Sequence, residues 1–276
     1  MTGRLVLGEP ATGGESGGAW HGTFDGHPVV VKRGEAEARP RLESISSLMD
    51  RLRDRGVPTP SYTLLDDDGD ELVYVQTVLP GALPRRPMTA QYVEDVVTMS
   101  ELLADVTDVP RIRSYDWPTL LQHSLAIGED GWCRHEPMRA YSDRTRAIVE
   151  HAEAHGAAME VASVPTTDAV HLDLHPANTL VHGGRLSGII DWDGVLPGDR
   201  WFDLVYFAHH VELWRGDDTL TSWLWPMIEA AVPPQRLGTY AAHIALRTVE
   251  WQVSRHTAAD VERTLTLAEH LVARYP

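Results

Sequence analysis

The length and charge of the chain restrict its class and its partners. It has 276 residues, with 24 Lys and Arg against 40 Asp and Glu, which gives a formal net charge of −16 at pH 7. A chain of this length can bury a sizeable core, and its 43% hydrophobic and 23% charged residues are an ordinary globular mixture. The negative charge argues against nucleic acid and anionic membranes as main partners, because both need a basic face, but it is compatible with a cationic ligand.

Cysteine usage and the lack of long apolar runs indicate a cytoplasmic protein. The single cysteine, Cys133, excludes an intrachain disulfide and a cysteine-based zinc cluster. No stretch approaches the ~18 apolar residues of a membrane helix, and the first residues lack the apolar core of a signal peptide. We therefore expect a cytoplasmic monomer or homodimer.

One basic residue differs from all the others. Of the 24 basic residues only Lys32 is a lysine. In a structural interpretation, this lysine is kept by chance at an ordinary strand position. The functional one is a site that needs a compact point charge, which the planar fork of arginine does not supply.

The first 79 residues predict antiparallel strands around one helix. A glycine-rich loop at 13–18 and the turn Asp25–Gly26 separate short runs with strand character. Apolar residues at helical spacing predict a helix over 41–55, which Gly56 and Pro58 end. The predicted strands cover residues 4–7, 19–24, 29–32, 62–65 and 71–79, and the last two flank residues 66–70 as a second predicted hairpin.

Helices dominate after the Pro- and Gly-containing stretch 80–84, which is typical of a hinge between lobes. One more hairpin is predicted about Gly183–Gly184, from strands at 179–182 and 186–191. The predicted helices lie within 92–106, 141–155, 219–231, 237–254 and 258–274.

Two stretches carry most of the chemically active side chains. The first is His-Leu-Asp-Leu-His-Pro-Ala-Asn at 171–178, and the second is Ile-Ile-Asp-Trp-Asp at 189–193, at the end of an apolar strand. Gly198–Asp199 and Asp203–Leu204 follow. Together with the strand that ends in Lys32, these motifs resemble the aminoglycoside phosphotransferase family, relatives of the protein kinases, over roughly residues 10 to 210.

The resemblance implies an α+β fold of the bilobal, protein-kinase-like type. Its N-terminal lobe, residues 1–79, is an antiparallel sheet with one main helix and binds the nucleotide. Its C-terminal lobe, residues 80–276, is larger and mostly helical, and it holds the catalytic and substrate-binding residues.

The resemblance also implies a role for each charged residue of the motifs. Asp173 accepts the proton of the attacking hydroxyl, and Asn178 and Asp191 supply the oxygen ligands that suit Mg²⁺. Lys32 binds the phosphates of ATP. Glu43 is the expected partner that pairs with Lys32 and holds it in place, and Glu35 and Glu37 are the competing candidates for this role. We therefore expect Lys32 and Asp191 to lie close together, well within ~15 Å.

Further nucleotide contacts follow from the same resemblance. Gly17 and Gly18 in the glycine-rich loop cover the phosphates, and the segment from Gln76 to Val78 offers backbone groups to adenine. The cofactors implied are ATP, with GTP as an open alternative, and Mg²⁺.

Several residues stay open between a functional and a structural role. His175 either lines the site or packs, and Asp193 either contacts metal or substrate or caps a loop. His171 is expected to be a packing and hydrogen-bonding residue. Asp199 and Asp203 are expected to anchor backbone N–H groups.

Three residues depart from the family pattern. Leu172 and Ala177 stand where the family often has glycine, and Arg200 stands where it usually has proline. None of these changes removes a charged catalytic group, so they bear on the subfamily and not on the reaction.

The function implied is transfer of the γ-phosphate of ATP to a hydroxyl of a small molecule. An aminoglycoside or related antibiotic is the leading substrate. Carboxylates such as Asp217, Asp218 and Glu250 could bind the ammonium groups of such a compound. A metabolite kinase of the choline, homoserine or sugar type is the alternative. A catalytically inactive ATP-binding module is disfavoured, because no expected charged group is missing.

A metal-dependent hydrolase is the remote alternative. His171, Asp173 and His175 alternate along the chain, and Asp191 or Asp193 could complete a metal site. That interpretation leaves Lys32, Asn178 and the glycine-rich loop without a role.

Overall fold

The chain divides into two units, and each is built from two separate stretches of sequence. A computed structural model describes residues 4–11, 18–65, 71–85, 88–112, 115–129, 131–215 and 218–276. The first unit takes residues 1–112 and 176–195, and the second takes 113–175 and 196–276. The lobe boundary expected between residues 79 and 80 stays a prediction.

An antiparallel sheet of five strands forms the first part of the first unit. The strand order is β1-β2-β3-β5-β4, so β5 lies between β3 and β4. The turn Asp25–Gly26 joins β2 to β3, and both of its residues have positive φ, as a tight hairpin requires. The strands are β1 Leu5–Pro10, β2 Ala19–Phe24, β3 His27–Glu35, β4 Tyr62–Leu65 and β5 Glu71–Thr77.

The alternation of side chains gives the sheet two different faces. Val29, Val31 and Val75 are buried on one face as an apolar cluster, against which Trp20 packs. The residues between them point the other way, because successive side chains of a strand alternate. Lys32 is therefore on the face opposite to this cluster, the same face as its partner Tyr74 on β5.

Two helices and a hairpin complete the first unit. Helix α1, Arg39–Asp54, buries one apolar side, with Leu42, Ile45, Leu48, Met49 and Leu52 all at helical spacing. Helix α2, Ala90–Glu101, begins at Thr89, whose side chain accepts the N–H of Tyr92. The hairpin of β7, Thr179–His182, and β8, Arg185–Ile189, joins this unit through the Ile189 N–H, which donates to the Pro58 carbonyl at 2.8 Å.

The second unit is mostly helical. A short antiparallel pair, β6 Asp168–Val170 and β9 Leu196–Gly198, accompanies the helices. Phe202 lies at the centre of a buried aromatic group, 4.3 Å from the Trp117 ring and 5.5 Å from the Tyr240 and His243 rings, centroid to centroid. The helices are α3 Trp117–Ile127, α4 His135–Tyr141, α5 Asp143–Ala158, α6 Trp201–Arg215, α7 Leu224–Ala231, α8 Pro234–Arg255 and α9 Ala258–Arg274.

Most of the predicted elements are confirmed, with shifted ends. The helix expected over 41–55 is α1, those expected over 237–254 and 258–274 are α8 and α9, and the three predicted hairpins form. The helix expected over 219–231 begins only at Leu224, after turns. Helices α3, α4 and α6 and the short strands β6 and β9 were not predicted as separate elements. No helix among the described residues is long and apolar enough to cross a membrane.

Candidate active site

Lys32 is placed by the register of the sheet. It lies opposite Ala19 on β2 and opposite Tyr74 on β5. Because β3 is paired on both sides, its backbone is held rigidly, and the side chain projects from a fixed point. The Lys32 side chain is 19% exposed, so its ammonium lies in a partly desolvated position.

Two carboxylates hold the Lys32 ammonium. Lys32 Nζ is 2.8 Å from Asp191 Oδ1 and 2.8 Å from Asp193 Oδ2. Burial acts to lower the pKa of Lys32, but the charges of Asp193 and Asp191 outweigh it, so the pKa lies above its ordinary value. The lysine is therefore a permanent cation at neutral pH, and the closeness expected between Lys32 and Asp191 is present.

The β7–β8 hairpin brings the two expected metal ligands to adjacent strand ends. The N–H of Ile190 donates to the Asn178 carbonyl at 3.0 Å, so the backbones that precede Asp191 and follow Asn178 are paired. Asp191 itself has φ +67° and ψ +53°, a left-handed conformation that aspartate tolerates better than most residues. The next side chain, Trp192, is buried and donates from Nε1 to the Ile189 carbonyl at 2.9 Å, which fixes this turn.

This donor set fits Mg²⁺ bound together with phosphate. Asn178 is buried and Asp191 is exposed, and they offer one amide oxygen and one carboxylate. Mg²⁺ commonly takes one or two carboxylates and completes its shell with substrate phosphates and water. A set of one amide and one carboxylate therefore suits a metal that arrives with a nucleotide. The described residues contain no group of three or more His, Cys, Asp or Glu side chains placed to hold a metal ion.

Asp193 has more partners than Asp191. Its carboxylate accepts hydrogen bonds from the Tyr62 hydroxyl at 3.2 Å and from the Tyr74 hydroxyl at 3.0 Å, in addition to Lys32. Arg41 on α1 donates to the Asp193 main-chain carbonyl at 2.9 Å. Burial lowers the pKa of Arg41 to about 10, against the opposing charge of Asp193.

The pair expected between Glu43 and Lys32 is not formed. Glu43 is exposed on α1, and among the described residues its carboxylate has no hydrogen bond or ion pair. The inward side of the helix is apolar, and Arg41 is the charged residue of its first turns that reaches the turn at 192–194. The carboxylate next to Asp191 at Lys32 is that of Asp193.

The nucleotide-contact residues differ in their exposure. Gln76 is 4% exposed on β5, and its Nε2 has no hydrogen-bond partner within the described part of the chain. An orphaned buried amide donor of this kind fits a polar group of a bound base, because leaving it unpaired is costly. Val78 follows the strand and is 50% exposed. Gly18 has φ +128°, which favours glycine, whereas Gly17 lies outside the described residues.

The second unit holds the expected catalytic carboxylate. Asp173 Oδ1 accepts hydrogen bonds from Arg247 Nη2 at 2.7 Å and from the Tyr206 hydroxyl at 3.0 Å. Its other oxygen, Oδ2, is 3.5 Å from His175 Nε2. These contacts hold the carboxylate from helices α6 and α8 as well as from its own loop.

Arg247 keeps Asp173 ionised. Burial acts to raise the pKa of Asp173, but the Arg247 guanidinium, the hydrogen bond from His175 and the charges of His175 and His171 outweigh it. The pKa of Asp173 therefore lies well below its ordinary value. At neutral pH the carboxylate is an acceptor only, which is the form that a proton-accepting group needs.

The loop before Asp173 is anchored by hydrogen bonds to both backbone groups of Leu172. Leu172 has φ +73°, a left-handed conformation that explains why glycine suits this position. The backbone N–H groups of His171 and Leu172 donate to Asp203, at 2.7 Å and 3.0 Å, and the Leu172 carbonyl accepts from Arg247 at 2.5 Å. The expectation that Asp203 anchors backbone N–H groups is confirmed, although it anchors this loop and not the start of its own helix. Burial raises the pKa of Asp203 to about 7, against these two N–H donors.

The two histidines of the motif have different surroundings. His171 is fully buried, and its Nδ1 accepts the N–H of Asp173 at 3.3 Å, so the expected packing and hydrogen-bonding role is confirmed. His175 is partly exposed, with its ring 5.1 Å from that of His210. Burial, with the charges of His175 and His209, lowers the pKa of His210 well below its ordinary value, so this neighbour is neutral.

One carboxylate expected to receive a substrate cation is already paired. Glu250 is 1% exposed and accepts from Arg134 at 2.6 Å and from the Ser254 hydroxyl at 2.7 Å. It belongs to the internal polar contacts of α8. Asp218 is exposed, and Asp217 lies outside the described residues.

Sequence reasoning missed five residues that contact Asp173 or Asp193, namely Arg41, Tyr62, Tyr74, Tyr206 and Arg247. The available signal for Tyr74 was its period-two spacing on a strand next to the strand of Lys32. Arg247 gave none, because one arginine among many on a long helix looks like an ordinary surface residue.

Comparisons with known proteins identify the family of the chain and its fold. A sequence model described as the phosphotransferase enzyme family (APH) matches residues 8–230. No curated protein sequence matches the chain.

Many solved structures are similar in fold, and two of them illustrate the range. One is a thermostable mutant of aminoglycoside phosphotransferase APH(4)-Ia in a ternary complex with AMP-PNP and hygromycin B, at a TM-score of 0.64 and 15% identity, covering 98% of this chain and 93% of that one. The other is choline kinase LicA from Streptococcus pneumoniae, at a TM-score of 0.59 and 16% identity, covering 99% and 94%.

At these identities the similarity establishes the fold, which is the α+β kinase-like class expected from the motifs. The family model spans well over half of the chain, including the sheet, the loop at 171–178 and the strand before Asp191. The chain therefore belongs to the phosphotransferase enzyme family.

Proposed function

We propose that the chain is an ATP-dependent O-phosphotransferase that moves the γ-phosphate to a hydroxyl of a small molecule. The observation that carries this proposal is the contact of Lys32 with Asp191, since a fixed cation and a metal-binding carboxylate side by side suit a triphosphate with its metal. Family membership supports the reaction class.

Each group has a role in the proposed reaction. Asn178 and Asp191 would hold Mg²⁺, which when bound offsets the charge of the phosphate oxygens. Lys32 binds and orients the phosphates through its ammonium. Asp173 orients the substrate hydroxyl and accepts its proton, and its low pKa suits a transfer in which the proton leaves late. Gln76 binds the base, with ATP favoured and GTP as the alternative.

The leading substrate is an aminoglycoside or a related antibiotic. The fold of APH(4)-Ia, whose complex contains hygromycin B, supports this choice, as does the net charge of −16, which attracts cations. Inactivation of the antibiotic by phosphorylation is the corresponding biological role.

A metabolite kinase is the second candidate. Two observations favour it: the fold matches choline kinase LicA at a similar TM-score, and Glu250 is already used by Arg134. The substrate would then be a small alcohol of the choline, homoserine or sugar type.

A panel screen tests the reaction and the substrate together. Purified protein with Mg²⁺ and ATP is offered aminoglycosides in one panel and metabolite alcohols in the other, and ADP release and the phosphorylated product are measured. We expect turnover with members of one panel, and turnover about 10²–10⁴-fold lower with the Asp173→Asn variant. Turnover of metabolite alcohols alone would reject the antibiotic role, and no phosphorylated product from either panel would count against the proposed reaction.

A further inference from the structure

Asp193 is the most firmly held carboxylate at Lys32. Its Oδ2 accepts from Lys32 Nζ at 2.8 Å and from the Tyr74 hydroxyl at 3.0 Å, and its Oδ1 accepts from the Tyr62 hydroxyl at 3.2 Å. Both oxygens are thus engaged by side chains of the first unit. A carboxylate fixed at both oxygens has little freedom to rotate.

The sheet fixes both tyrosines on the same face as Lys32. Tyr74 lies directly opposite Lys32 across the β3–β5 pair, and Tyr62 lies opposite Gln76, two residues further along β5. The Tyr62 and Tyr74 rings stack with centroids 6.0 Å apart and planes 9° apart. The two hydroxyls therefore come from a preorganised pair of neighbouring strands.

The tyrosine hydroxyls can act only as donors to Asp193 at neutral pH. Burial raises the pKa of Tyr62 well above its ordinary value, and the charge of Asp193 raises it further. The same two causes raise the pKa of Tyr74. Each hydroxyl keeps its proton and directs it towards the carboxylate.

The backbone of Asp193 is held from a third direction. Arg41 Nη2 donates to the carbonyls of Asp193 and Val195, at 2.9 Å each. These bonds connect α1 to the short helical turn Trp192–Gly194, so that both ends of the Asp193 residue, main chain and side chain, are fixed.

Asp191 is held far less. Its side chain is 50% exposed, and among the described residues its only hydrogen-bond or ion-pair partner is Lys32. The two carboxylates at one ammonium therefore differ. Asp193 is anchored by side chains of two strands, whereas Asp191 has an oxygen, Oδ2, with no partner among the described residues.

We propose that Asp193 is the positioning residue of Lys32, that Tyr62 and Tyr74 hold Asp193 in place for this task, and that Asp191 is thereby left for the metal. Asp193, held by Tyr62 and Tyr74, takes the role that the family resemblance gave to Glu43. The geometric part of this inference stands on the contacts of the first unit, whereas its effect on catalysis rests on the proposed function.

Lys32 gives a direct readout because it is the only lysine of the chain. Protein labelled with ¹⁵N-lysine has a single side-chain ammonium, whose ¹H–¹⁵N signal is seen only when hydrogen bonds slow its exchange with water. We expect a sharp signal from the unliganded wild type. We expect the Tyr62→Phe/Tyr74→Phe variant and the Asp193→Asn variant to broaden or lose it.

Tyr141→Phe is the matched control. Tyr141 is 45% exposed on α4, and its hydroxyl has no hydrogen-bond partner among the described residues. This variant makes the same chemical change in the second unit, so the Lys32 signal should be unchanged. Circular dichroism and the melting temperature establish that each variant is folded, and the single Tyr→Phe variants replace the double one if it is not.

Kinetics separate positioning from a purely structural effect. The Tyr62→Phe/Tyr74→Phe variant should lower kcat by about 10–100-fold, the range expected when a catalytic group is misplaced by about 1 Å. The Kd of the nucleotide, measured by calorimetry, should change by less than about 5-fold, because Lys32 itself is still present. Equal losses in kcat and in nucleotide affinity would contradict positioning.

The outcomes distinguish this inference from the proposed function. A folded Tyr62→Phe/Tyr74→Phe variant with an unchanged Lys32 signal overturns the inference, whatever the activity. A changed signal in a protein whose wild type neither binds nucleotide nor phosphorylates an alcohol supports the positioning of Lys32 and rejects the proposed function.

Discussion

At the scale of single residues, the two expected catalytic charges are held in different ways. Lys32 is bound by carboxylates, and Asp173 is bound by a guanidinium and a phenol. For Asp173, one partner also contacts the backbone nearby, since Arg247 donates to the Leu172 carbonyl. Such double contacts fix a side chain and its main chain together, which is what preorganisation of a reacting group requires.

Replacing Asp173 by asparagine tests its role as proton acceptor. Asparagine keeps the shape of the side chain but does not accept a proton at neutral pH. We expect kcat to fall by about 10²–10⁴-fold, with little change in the Kd of the nucleotide. Steady-state kinetics and calorimetry measure the two quantities. Asp54→Asn, at an exposed position on α1, should leave both unchanged, and an unaltered kcat in the Asp173 variant would exclude it as the acceptor.

The pH profile reports the contact of Asp173 with Arg247. In the wild type the pKa of Asp173 is well below its ordinary value, so activity that needs the carboxylate persists into acid. Removing the charge in Arg247→Met leaves burial opposed mainly by His175 and His171, and we expect the acid limb of kcat/KM to move up by about 1–3 pH units. Arg247→Lys, which keeps a charge, should move it less. If both variants kept the acid limb at the wild-type pH, Arg247 would not be the residue that sets the pKa of Asp173.

At the scale of elements, the loop at 171–178 combines strain with anchoring. A left-handed conformation costs about 1–2 kcal/mol for a residue with a side chain. Leu172 adopts it between two anchors, Asp203 on its N–H and Arg247 on its carbonyl. The Leu172 side chain is only 7% exposed, and its burial offsets the strain.

This strain predicts an inverted order of alanine and glycine variants. Both Leu172→Ala and Leu172→Gly lose the buried side chain, but only glycine also loses the strain. We expect Leu172→Gly to be more stable than Leu172→Ala by about 1–2 kcal/mol, measured by urea unfolding. At Thr98, exposed in the interior of α2, alanine should instead be the more stable by about 1 kcal/mol. The same order at both positions would contradict the strain.

The elements that could be predicted from sequence are those whose period repeats often enough. Helices α1, α8 and α9 repeat their apolar side over three turns or more, and the hairpins carry Asp-Gly or Gly-Gly turns. Strands β6 and β9 have three residues each, too few to display alternation. Helix α3 is buried at Trp117, Pro118, Leu120, Leu121, Ser124 and Leu125, and its second residue is proline, which reads as a break unless it is recognised as a first-turn residue.

The site was predictable where the residues stand in one motif, and not where distant segments meet. Lys32, Asn178, Asp191 and Asp173 were found from local patterns, and their assigned roles stay proposals. Helical spacing located α1 correctly but did not predict that Glu43 would be exposed. The contacts of the tyrosines with Asp193 depend on strand register, and those of Arg247 depend on helix packing, neither of which the local sequence determines.

At the scale of the whole molecule, the excess of acidic residues predicts a salt dependence. A net charge of −16 makes the folded chain repel itself, and added salt screens this repulsion. We expect the Tm at pH 7.5 to rise between about 20 and 300 mM NaCl. The rise should be about 2–4 °C for each kcal/mol added to the free energy of unfolding. At a pH close to the isoelectric point, the same addition of NaCl should change the Tm little. A Tm that falls with salt at pH 7.5 would mean that surface ion pairs, such as Arg144 with Glu262 and Glu269, outweigh the repulsion.

The interleaved order of the two units constrains how the protein is made. The first unit begins at the N-terminus but is completed only by residues 176–195, and these include Asn178, Asp191 and Asp193. During synthesis the five-stranded sheet leaves the ribosome long before the hairpin that carries these side chains. Lys32 therefore acquires its carboxylate neighbours only after some 160 further residues have been translated, so any fragment that stops at residue 112 contains the cation without its counter-charges.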